Sequence, residues 1–100
     1  MSSLRVFDDG EGRLRLEAGE SFLPDDALRI RGLIAEASPG TAVEIDFRDV
    51  RCCHDFALSL LAQDLLGGRA AVAVLGMSLH HERLLAYLGV PMRAPEERVA

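Results

Sequence analysis

Three times along this chain a β-rich apolar run gives way to a short polar loop and then to a segment with helical spacing. That alternation constrains the fold more than any other feature, because strand–helix–strand repeats imply right-handed crossovers and a largely parallel sheet. The first unit runs from Arg13-Leu14-Arg15-Leu16-Glu17, which alternates polar and apolar like a strand with one wet face, into a helix from Pro24. Pro24 suits a first helical turn, and Asp25 and Asp26 suit its positive end. Ala27, Ile30, Ile34 and Ala37 form an apolar stripe that Leu28 and Leu33 widen, and Ser38-Pro39-Gly40 closes the helix. The second unit is the strand Thr41–Phe47 followed by a helix over Phe56–Leu66, with Ala57, Leu60, Leu61 and Leu65 on one side and Gly67-Gly68 as its stop. The third is Ala70–Leu75, apolar on both faces, then a helix over Leu79–Leu88 with Leu84, Leu85 and Leu88 inward and Gly89 at its end. A strand apolar on both faces is expected to be central, or covered by a helix on one side and a partner on the other.

Ahead of these units, Leu4-Arg5-Val6-Phe7 and the turn Asp8-Asp9-Gly10-Glu11-Gly12 predict an antiparallel hairpin with the strand at Arg13. The expected order is β-β-α-β-α-β-α: a small mixed sheet, with a hairpin plus parallel strands, packed against helices. The 100 residues suit one domain, with its core over about 4–90 and a short tail over 91–100. In that tail Val90–Pro95 is a candidate for a very short edge strand and Pro95–Ala100 for a last helical turn.

Charge narrows the function classes. Eleven Arg against sixteen Asp and Glu give a net charge of −5, which opposes a phosphate backbone and argues against nucleic acid as a partner. The chain has no Lys, which removes P-loop and Schiff-base lysine chemistry. No apolar run approaches the roughly 20 residues that span a bilayer, so no membrane insertion is expected. The start Met1-Ser2-Ser3-Leu4-Arg5 does not read as a secretion signal, and a cytoplasmic location is expected. Cys52 and Cys53 are adjacent. On an extended segment they point to opposite faces, and two reduced, buried thiols are expected.

Loops leaving the C-terminal ends of parallel strands lie side by side and are where such sheets place their sites. Here those loops are Arg48–Asp55 and Gly76–His81, and all three histidines and both cysteines fall in or near them. A metal or nucleophilic site would draw on Cys53, His54, Asp55, His80 and His81. Consecutive ligands diverge, however, and the spacing of two to four residues usual for a zinc pair is missing. A Cys–His pair would have to converge in space. Otherwise His80 and His81 occupy a surface helix turn, one pointing out and one along the helix, while Asp55 caps the helix that starts near Phe56.

Taken together, several stretches resemble a STAS domain, the fold of anti-sigma factor antagonists and sulphate-transporter tails. They are Val43–Val50, the segment Arg51–Leu61, the strand and turn Val72–Ser78, and Leu84–Val90, and the resemblance spans roughly Leu4 to Gly89. It implies a non-enzymatic regulatory module that needs no cofactor or metal and acts by protein–protein contact. In phosphorylatable antagonists an Asp-Ser-Ser/Thr-Gly run opens the second helix and carries the serine modified by a switch kinase. In register, His54 stands at the Asp, Asp55 and Phe56 at the two hydroxyl places, and Ala57 at the Gly, so no acceptor remains there. Ser59 lies one turn on and faces differently, and Ser78 in the neighbouring loop stays open as an acceptor with nothing in the sequence to support it.

The expected partner surface is therefore Arg51, Cys53, His54, Asp55, Phe56, Ala57 and Ser59, with a secondary loop of Met77, Ser78, His80 and His81. Asp55 either mimics a phosphoserine or caps the helix, and Phe56 is either an exposed anchor or a core residue. The implied partner is an anti-sigma factor of the switch-kinase type or, alternatively, the ATPase subunit of an ABC-type lipid transporter. A third reading is a small ligand- or metal-binding domain built on the Cys/His loops. A homodimer stays open.

Overall fold

The computed structural model describes residues 3–67 and 71–90. Two strands, β1 (Arg5–Asp8) and β2 (Arg13–Glu17), form the expected antiparallel hairpin, with Phe7 opposite Arg15. Its turn is held by Asp8 and Asp9, whose Oδ1 atoms accept the Gly10 and Glu11 amides at 2.9 and 2.8 Å. Strand β3 (Ser21–Phe22) follows, then helix α1 (Pro24–Glu36), strand β4 (Ala42–Asp46), strand β5 (Cys52–Cys53), helix α2 (Asp55–Gly67), strand β6 (Ala71–Leu75) and helix α3 (Leu79–Tyr87). The main sheet has the order β1-β2-β4-β6, with β2, β4 and β6 parallel. A second, two-stranded parallel ribbon joins β3 to β5. The chain is thus a small α/β fold with a mixed four-stranded sheet and three helices among the described residues.

The alternation in β2 and β4 sends Leu14, Leu16, Val43 and Ile45 into the core, where they meet Ile30 and Ile34 of α1 and Leu58, Leu61 and Leu85 of α2 and α3. The opposite face is open to solvent and carries a charge ladder. Arg15 donates to Glu44 at 2.8 Å and to Asp46 at 2.7 Å, and Arg5 pairs with Glu17 at 3.1 Å. Burial works against the Arg15 charge. Its hydrogen bonds to Glu17 and Glu44 and the nearby Asp46 charge outweigh that and hold its pKa above the ordinary Arg value.

Several expectations are corrected by packing. Strand β6 is not central but an edge: Ala71, Ala73 and Leu75 are exposed, and only Val72 and Val74 pack on the core. Leu28 is 51% exposed because the α1 stripe is narrower than expected, its buried apolar members being Ala27, Ile30 and Ile34. Leu88 lies beyond α3 as its C-cap and is also exposed. Conversely, Leu58 and Ala62 join Ala57, Leu60 and Leu61 in the core, because α2 packs between α1 and α3 and has two faces to cover. Arg31 of α1 clamps this helix pair, bonding Asp64 Oδ1 and Gln63 Oε1 at 3.0 Å each.

The N-terminus of α1 is closed from within. Asp26, almost fully buried, reaches back to accept the Leu23 amide at 2.8 Å and also accepts the Ser3 amide at 3.2 Å. Gly68, Ala70 and the tail assignments over 91–100 lie outside the described residues.

Candidate surface at the start of α2

The loop after β4 is shaped by Asp46. One carboxylate oxygen accepts the Arg48 amide at 2.8 Å, closing a tight turn, and the other is held by Arg15. The chain then returns as β5 beside β3. The Glu20 carbonyl accepts the amides of Arg51 and Cys52, and the Phe22 carbonyl accepts the His54 amide at 3.0 Å. Beneath this ribbon the buried rings of Phe22 and Phe47 pack with centroids 4.7 Å apart. The start of α2 is thereby fixed to the core rather than left on a free loop.

His54, not Asp55, caps α2. Its carbonyl accepts the Leu58 amide, and its Nδ1 accepts the Phe56 amide at 3.1 Å, which assigns the ring proton to Nε2. Asp55 is the first helical residue and exposed, its negative charge standing at the positive end of the helix. Phe56 is 58% exposed, so it is not a core residue. Ala57 is fully buried and cannot touch a partner through its side chain, while Ser59 is half-buried. Arg51 is exposed, and its Nε approaches Glu20 Oε1 at 4.0 Å. A depression of about 430 Å³ at the ends of β2 and β4 is lined by Gly19, Glu20, Arg48, Asp49 and Arg51.

The thiols differ from expectation. They are free and face apart, but Cys52 is exposed and Cys53 only half-buried, because a two-residue ribbon covers one side of each strand. Burial, reinforced by the Asp55 charge, pushes the Cys53 thiol up to about 11. Its thiolate is therefore scarce near neutral pH, and the neighbouring His54 Nδ1 is already occupied by the Phe56 amide. This is the reverse of an activated Cys–His pair.

The second loop is brought alongside the first. The Phe47 amide donates to the Leu75 carbonyl at 2.7 Å, and Gly76, at φ +70°, packs against the Arg48 backbone. Met77 packs on the core, and Ser78 caps α3: its Oγ accepts the His81 amide at 3.2 Å and lies 3.0 Å from His81 Nδ1. His80 points to solvent and His81 turns back along the helix start, their rings 5.5 Å apart. Burial, and then the His80 charge, lower the His81 pKa. Among the described residues no three His, Cys, Asp or Glu side chains come together as a metal site would require.

Two members of this surface escaped sequence reasoning. Leu23, 44% exposed, follows Phe22 in the ribbon and so stands level with His54, and Glu20 comes beside Arg51. Neither falls in a periodic pattern, and only the β3–β5 pairing brings them there. Comparison with protein-family models and with curated proteins found no match.

Proposed function

We propose that this chain is a regulatory protein-binding module of the STAS kind, resembling an anti-sigma factor antagonist, and that it engages an anti-sigma factor of the switch-kinase type through the start of α2. One observation carries the reading: Phe56 presents an exposed aromatic ring at the head of a helix whose next two residues are buried. An exposed ring on a rigid support costs little to order and suits an interface anchor. Asp55 beside it gives a permanent negative charge where a switched antagonist would carry phosphate. The β-hairpin, the parallel strands and the helices that follow them support the STAS resemblance, as does the placement of Arg51–Ser59 at the ends of the parallel strands.

Binding is tested against a panel of switch-kinase anti-sigma factors with ATP, followed by peptide mass analysis. Tight binding to one of them is expected, weakened about 30-fold or more by Phe56→Ala, which corresponds to a hot spot of about 2 kcal/mol. No phosphate is expected within 51–59. Absence of binding, unchanged affinity of Phe56→Ala, or phosphate on that peptide overturns the proposal.

A further inference from the structure

Helix α2 is capped by an imidazole where a carboxylate, amide or hydroxyl oxygen usually stands. His54 Nδ1 accepts the Phe56 amide at 3.1 Å. That amide belongs to the first turn, whose amides find no carbonyl within their own helix, so the ring is what holds it. A neutral imidazole has one nitrogen that accepts. An imidazolium has none, because both of its nitrogens carry protons. Cap and ring charge are therefore mutually exclusive. A protonated ring also sets a positive charge at the positive end of the α2 dipole. Histidine is the side chain whose ordinary charge change falls between about pH 5 and 8.

Charged and titratable groups stand on each element around the ring. Its chain neighbours are Asp55 and Cys53, whose thiol, pushed up to about 11, stays neutral over that range. Glu20 and Arg51 belong to the β3–β5 ribbon and approach each other at 4.0 Å. The first turn of α1, entered at Leu23 level with His54, carries Asp25 and Asp26, and Asp26 is engaged with the Leu23 and Ser3 amides. Helix α3, packed on α2, begins with His80 and His81, but its cap works differently. Ser78 Oγ accepts the His81 amide and can accept from a protonated His81 ring as well, since a hydroxyl has two lone pairs. Protonation of His81 leaves that cap in place.

We propose that His54 is a proton switch at the head of α2. The neutral ring holds the Phe56 amide and fixes the aromatic anchor, and protonation uncaps the helix and frees its first turn. The surface is thus ordered for a partner at neutral pH and loosens as pH falls towards about 5. The use of the switch in binding rests on the function proposed above, and the switch itself does not.

The test is nuclear magnetic resonance of the full chain alone between about pH 8 and about pH 5. It reads the His54 ring and the amide-exchange protection of Phe56, corrected for the intrinsic pH dependence of exchange. Protection of Phe56 is expected to fall about ten-fold, the size of a lost cap, with the midpoint of the His54 ring, while protection of the His81 amide holds. His54→Asn, whose side-chain oxygen caps without titrating, is expected to keep Phe56 protection level across the range. A ring that stays neutral throughout, Phe56 protection unchanged as the ring protonates, an equal loss at His81, or the same fall in folded His54→Asn overturns the proposal. If His54→Asn does not fold, the wild-type titration decides by the first three of these outcomes. With no partner present, a negative result strikes the switch and leaves the binding proposal standing, whereas a chain that switches but binds no anti-sigma factor does the reverse.

Discussion

Gly76 joins the two loops of the candidate surface, and replacing it with alanine separates two physical costs. The residue has φ +70°, and a Cβ placed there meets the Arg48 Cα and N at 3.1 Å. Strain from the left-handed backbone costs an alanine about 1–2 kcal/mol. The stiffer unfolded chain returns about 0.4–1 kcal/mol of that. Displacing the Arg48 backbone adds about 1–2 kcal/mol, since a main-chain neighbour cannot swing aside. The net expectation is a loss of about 2 kcal/mol, or about 8–16 °C in melting temperature for a domain of this size. Gly10 is the control. Its φ is +74°, but a Cβ there meets nothing within 4 Å, so Gly10→Ala carries the strain alone. That places Gly10→Ala at about 0.5–1 kcal/mol. Urea denaturation of both variants against wild type measures the difference directly. Equal losses for the two would refute the claim that the β6–α3 turn is locked against the end of β4.

Three further outcomes rest on the surroundings of Cys53 and Asp26. With its pKa at about 11, Cys53 resists alkylation in the folded protein at pH 8, while exposed Cys52 reacts, so brief iodoacetamide treatment adds one label as read by intact mass. Because the fold favours the neutral thiol, the stability it contributes is complete below the ordinary thiol value of 9.0 and is lost as pH rises towards about 11, a decline that Cys53→Ala removes. Asp26→Ala leaves the Leu23 and Ser3 amides without their acceptor beside an almost buried site, and a loss of about 2–3 kcal/mol is expected in urea denaturation.

The elements legible in the sequence are those long enough to show a period. Leu14 and Leu16, Val43 and Ile45, and the Ala27–Ile30–Ile34 stripe announce strands and a helix that the structure contains. Strands β3 and β5 span two residues each, shorter than any period, and their pairing is a tertiary event. The cap of α2 is not legible in the sequence for that reason: once β5 pairs with β3, His54 rather than Asp55 comes to the helix entry, and its ring takes the acceptor role usually given to Asp or Ser. The sequence does not distinguish edge from centre at β6, because apolar content reports what a strand prefers to touch and not which neighbours the chain's own topology provides. The His and Cys residues lie in two adjacent loops, where His54 and His81 are engaged in capping and Cys53 packs on the core, while Cys52 and His80 face solvent.

The ribbon of β3 and β5 has a mechanical consequence. Leu23 and His54, the entry residues of α1 and α2, are suspended from the same pair of paired peptides, with the Phe22 and Phe47 rings, tilted against each other, as their anvil. A load applied at Phe56 therefore passes through the His54 amide to the Phe22 carbonyl and on to the root of α1, instead of being absorbed by a slack connection. The two helices answer a push as one lever, and whatever grips the tip of α2 also takes hold of α1.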